Sequence, residues 1–98
     1  MKICHITTAH PRYDVRIFHK ECVSLAKEFS DVHLIVADGK ADEIISGVHI
    51  HDIGKPAGRR SRFLNSGKAA LNKALQINAD IYHLHDPELL RVALKLKK

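Results

Sequence analysis

Apolar residues along the chain fall into short dense runs separated by stretches in which they recur every three or four positions. KICHITT (2–8) is short and rich in β-branched residues, which predicts a first strand. AHPRYD follows, with Pro11 as a breaker. Beyond it Phe18, Cys22, Leu25, Ala26 and Phe29 recur at helical spacing, and Asp14 is placed to cap that helix. VHLIVA (32–37) is nearly continuous in apolar residues and stops at Asp38-Gly39, the pattern of a strand covered on both faces. VHIHDI (48–53) predicts a weaker third strand, closed by Gly54 and Pro56. SGKAALNKALQI (66–77) predicts a helix with Ala70, Leu71, Ala74 and Leu75 on its buried side. DIYHLH (80–85) predicts a buried fourth strand, and PELLRVALKLKK (87–98) a last helix.

The elements thus read β-α-β-β-α-β-α. Strand–helix–strand steps with apolar strands predict a single α/β domain over 1–98, a three-layer parallel sheet. The usual winding gives the strand order 3-2-1-4 and puts the topological switch point between the carboxyl ends of strands one and four, where open α/β sheets bind ligands. Two polar segments converge there. His10, Arg12, Asp14 and Arg16 follow strand one; His85, Asp86 and Glu88 follow strand four. ALKLKK carries no helix stop signal, and a doubly wound half would continue into another strand. The expectation is the N-terminal portion of a larger protein, with the fourth strand exposed at an edge where a second copy can pair.

Composition narrows the class. A chain of 98 residues, 45% hydrophobic and 28% charged, suits one modest soluble domain. No stretch approaches the roughly 20 apolar residues of a membrane span, and MKICHITTAH is too broken by His5 for a signal peptide. Two cysteines make no disulfide framework, so a reducing cytoplasm is expected. The net charge of +5 is concentrated. Lys55, Arg59, Arg60, Arg62, Lys68 and Lys73 lie in a stretch with no acidic residue, and Arg91, Lys95, Lys97 and Lys98 close the chain. Such clusters suit phosphates, acidic lipid headgroups or nucleic acid, or else form a solvated face.

Nucleotide-binding loops are excluded. A phosphate loop around NSGKAAL would need glycine where Arg62 stands and Ser or Thr where Ala69 stands. Ser66 or Asn65 reads as a helix cap, and no dinucleotide fingerprint follows strand one, so no cofactor is expected. Eight histidines raise the question of a metal. His83 and His85 share a strand face, as do His49 and His51, but a zinc site needs three or four converging ligands and no single cluster supplies them. No metal is expected on that count, and His5, His33 and His83 read as structural. Asp86-Pro87-Glu88 has the chemistry of a helix start: a cap, a first-turn proline and an acid facing the helix dipole.

MKICHITTAHPRYDVRIFHKECVSLAKEF, VHLIVADG and DIYHLHDPELL together resemble the N-terminal domain of bacterial retaining glycosyltransferases of the GT-B fold, family 4. HPRYDVRIFHKE and DIYHLHDPELL are the specific parts. The resemblance implies a Rossmann-like acceptor-side domain. Its C-terminal partner domain would hold the nucleotide-sugar, and the acceptor would be a glycan or lipid-linked saccharide of the cell surface. It implies a cytoplasmic enzyme at the inner membrane face, no nucleic-acid partner, and a 98-residue piece that is inactive alone. By position, His85 matches a histidine near the transferred sugar, and His10–Arg16 matches the loop that approaches acceptor and donor phosphates. Asp86 and Glu88 complete the expected substrate rim, and Arg59, Arg60, Arg62 and Lys68 the membrane or polyanion contact. Many relatives carry a glycine pair where this chain has Ala9-His10-Pro11. Two other readings stand beside this one: a flavodoxin-like binding module for a protein or polyanion, and a fragment of a metal-dependent hydrolase.

Overall fold

A computed structural model describes residues 2–7, 12–29, 31–54 and 67–85. It contains strand β1 (Lys2–Ile6), a π-helical segment (Val15–Cys22) running directly into α1 (Val23–Glu28), and β2 (Asp31–Val36). These are followed by β3 (Glu43–Ile45), β4 (Val48–Asp52), α2 (Gly67–Ile77) and β5 (Ile81–Leu84). The strands form one sheet in the order β3-β4-β2-β1-β5. The β1–β2, β1–β5 and β2–β4 pairs are parallel, and β3–β4 is antiparallel.

The sheet is therefore mixed, not wholly parallel. Its extra strand comes from a hairpin whose two turn residues, Ser46 and Gly47, both have positive φ, 52° and 80°. That is the primed turn geometry matching the right-handed twist of paired strands. A Cβ on Gly47 would sit 3.3 Å from the Ala26 Cβ, so glycine answers both the backbone angle and the approach of α1.

Pleating divides the core in two. Cys4, Ile6 and Ile35 face α2 and meet Ala70, Ala74 and Ile77. Val32, Leu34, Val36, Val48 and Ile50 face the first helix and meet Ile17, Phe18 and Cys22. The small alanines, four apart, let α2 lie close on its face; Leu75, expected inside, is turned out at 58% exposure. At the end of α2, Asn78 takes a left-handed φ of 53° and returns its N–H to the Ala74 carbonyl, a C-terminal cap. The Lys2 ammonium also donates to the Ile77 carbonyl at 2.9 Å. The Asp14 carboxylate accepts from the Arg16 and Ile17 backbone N–H groups, both at 3.0 Å, and caps the first helix as its residue type predicts. The last helix expected over 87–98 lies outside the described residues.

Candidate functional site

His5 lies on the face of β1 opposite Cys4 and pairs in register with His83 on β5, so His83 and His85 share its side of the sheet. The main chain of His85 continues the pairing, its N–H donating to the Ile6 carbonyl at 3.1 Å. The His5 Nδ1 and His85 Nε2 are 2.9 Å apart, a hydrogen bond between rings stacked at 5.1 Å. His83 stacks on His85 at 4.2 Å and turns its Nδ1 toward the Glu21 carboxylate of the first helix, 3.5 Å away. Three elements thus deliver His5, Glu21, His83 and His85 to one place, each with a donor atom within 4.8 Å of the others. Beside them is a cavity of about 440 Å³ lined by Ile3, Lys20, Ser24 and Leu25 as well as His5 and His83.

His5 is 1% exposed, and its Nε2 has no hydrogen-bond partner. A buried polar atom left this way costs about 1–3 kcal/mol. Burial, reinforced by His85 and His83, lowers its pKa to about 4, so the ring is neutral near pH 7. His83 and Glu21 form the rim, with side chains 53% and 29% exposed. The expectation of a buried fourth strand therefore fails. Ile81 is 46% exposed, because β5 is the edge of the sheet among the described residues.

A second histidine group occupies the opposite face. His33 Nδ1 and His51 Nε2 are 2.8 Å apart, His49 stacks on His33 at 4.8 Å, and Asp31 holds the other His33 nitrogen. Burial and His33 together lower the His51 pKa.

No known protein family, no curated protein and no solved structure matches this chain. The site stands on its geometry. Of the residues expected there, the structure brings His85 to the switch point between β1 and β5. Arg12 is turned away from it. It is 4% exposed, and its guanidinium donates to Asp38 at 2.6 and 2.7 Å, to Glu43 at 3.1 Å and to the Ala41 carbonyl at 2.7 Å. Arg12 ties the loop after β1 to the β2–β3 connection, with four of its five guanidinium N–H groups spent on Asp38, Glu43 and the Ala41 carbonyl. Asp14 serves as the helix cap, and Arg16 is exposed beside Lys20 along an open depression. Lys68 is exposed on α2, across the sheet from the histidine cluster. His10, Asp86, Glu88, Arg59, Arg60 and Arg62 lie outside the described residues.

Sequence reasoning passed over His5, Glu21 and His83 as site residues. The signal for two of them was present. Strands one and four were expected as neighbours, and odd-numbered positions put His5, His83 and His85 on matching sides once the two strands are in register. Glu21 had no such signal, since the side of the helix facing β5 depends on how the π-helical segment is phased.

Proposed function

We propose that this chain is the acceptor-side, Rossmann-like part of a retaining glycosyltransferase that moves a sugar from a nucleotide-sugar to a glycan or lipid-linked acceptor. The observation that carries the reading is the position of His85, at the carboxyl end of the parallel β1–β5 pair and held by the Ile6 carbonyl and the His5 ring. Open α/β sheets bind ligands at that edge. The strand order β4-β2-β1-β5 and the resemblance carried by HPRYDVRIFHKE and DIYHLHDPELL support the same reading. The donor nucleotide would be held by a second domain.

In this role His85 orients sugar hydroxyls and assists proton movement as the glycosidic bond forms. The departing diphosphate needs cationic or backbone N–H partners, and Arg12 is committed to Asp38. Arg16 and Lys20, exposed together along one depression of the first helix, are candidates for that role. Among the described residues no helix is long and apolar enough to cross a membrane. Contact with the cytoplasmic face of a membrane would rest on Arg59, Arg60, Arg62 and Lys68 meeting anionic headgroups. Equal sedimentation with neutral and anionic vesicles would count against it.

The deciding assay follows transfer from a panel of nucleotide-sugars by the protein at its full encoded length. His85→Ala should lower turnover roughly 100-fold, the scale of losing one positioning group. Transfer by the 98-residue chain alone, or none by the longer protein with any donor, overturns the proposal.

A further inference from the structure

We infer that His5, Glu21, His83 and His85 form a binding site for one divalent transition-metal ion, of which zinc suits the donors best. Three imidazoles and one carboxylate are borderline ligands of the kind zinc takes in tetrahedral sites. They come from three elements and need only small movements to converge. All four donors already lie within 4.8 Å of one another, and the His83–Glu21 separation of 3.5 Å is near the ~3.3 Å edge of a tetrahedron with zinc bond lengths. Closing the wider gaps requires rotation of the rim side chains, His83, which is exposed, and Glu21, which is half-buried.

An independent observation comes from His5. Its Nε2 is buried without a partner while Nδ1 is engaged by His85. An imidazole nitrogen with no protein partner is open to an entering ion, and because His85 ligates as well, the His5–His85 contact is exchanged for bonds to the ion as it binds. The second histidine group lacks this feature, because both nitrogens of His33 are taken by His51 and Asp31.

Four protein donors complete a tetrahedral shell, which makes the site structural rather than hydrolytic. The ion would staple the first helix, through Glu21, to β1 and β5. The inference is independent of the sugar-transfer reading. His85 belongs to both, so the test relies on His83→Ala and Glu21→Gln, neither of which enters that reading.

The experiment is equilibrium dialysis of the metal-stripped protein against Zn²⁺, with metal counted per chain, and thermal unfolding with and without the ion. The expected result is one Zn²⁺ per chain and a higher unfolding midpoint, since a ligand that binds the native state stabilises it. His83→Ala and Glu21→Gln should each weaken binding at least tenfold. His49→Ala, on the opposite face, should leave stoichiometry and affinity unchanged. Absence of binding at micromolar zinc, binding that survives both rim substitutions, or loss of binding in His49→Ala each overturns the inference.

Discussion

Arg12 and Asp38, 26 positions apart, meet fork to fork, with Nε on one carboxylate oxygen at 2.6 Å and Nη2 on the other at 2.7 Å. The pair has a wider role than its two bonds. Arg12 also holds Glu43 and the Ala41 carbonyl, while Tyr13 donates to Glu43. Asp52, at the end of β4, accepts from the Gly39, Ala41 and Gly54 N–H groups. The loops at the carboxyl ends of β1, β2 and β4 are thereby locked together around one buried cation.

Removing that cation should be costly. Arg12→Ala leaves Asp38 partly buried without its partner and is expected to destabilise the protein by about 3 kcal/mol. Arg12→Lys keeps the charge but loses the planar fork, and should fall between. Urea midpoints at neutral pH measure both. A loss below about 1 kcal/mol for the alanine variant would place the pair with ordinary surface ion pairs.

Acid should weaken the same lock. The Arg12 guanidinium, bonded to Asp38, holds that carboxyl below its usual range, and Tyr13 and Arg12 do the same for Glu43. Groups depressed in the folded state contribute fully above their unfolded pKa of about 4, and that contribution is lost as pH falls through the lower native value. Wild-type urea midpoints should therefore drop below about pH 4, and Asp38→Asn should flatten that limb. An identical acid limb in the variant would exclude Asp38 as its source.

Tyr82 should lock the end of α2 to β5. Its hydroxyl donates to the Ala74 carbonyl at 2.7 Å and accepts from the Ala79 N–H at 2.9 Å. Tyr82→Phe removes both bonds and leaves those groups in partly buried surroundings, an expected loss of about 1–2 kcal/mol. Hydrogen exchange should show the Ala79 amide among the most accelerated. Unchanged exchange there would mean that water replaces the hydroxyl at no cost.

Both thiols should be silent in the native state. Cys4 and Cys22 are free and buried, and desolvation pushes each to a pKa of about 12, so almost no thiolate exists near neutrality. A thiol-specific reagent should label two groups in denaturant and neither rapidly in native buffer. Fast native labelling of either one would contradict the packing of that cysteine.

The run VHLIVA could be read as a covered strand because Val32, Leu34 and Val36 line one face and Ile35 lies on the other, with His33 as the one polar interruption. The spacing of Phe18 and Cys22, the alanines at 70 and 74, and Asp14 before a helix were legible for the same reason: period and capping chemistry act over a few residues. The β3 strand was not, since EII is too short to show a period and its only cue is the Ser46-Gly47 turn.

Arg12 shows where local reading ends. Its sequence neighbours are polar and loop-like, and nothing nearby says that Asp38 and Glu43 will enclose it. The same holds for His5, which reads as one polar residue in a strand until β5 brings His83 and His85 beside it and the first helix brings Glu21. Sequence by itself determined the longer strands and the two described helices, most of their apolar faces, and the neighbouring of β1 and β5 that brings His85 beside the end of β1. The partners of the buried cation and of the buried imidazole were decided only by tertiary structure, because both pairings join residues too distant along the chain for any local preference to encode.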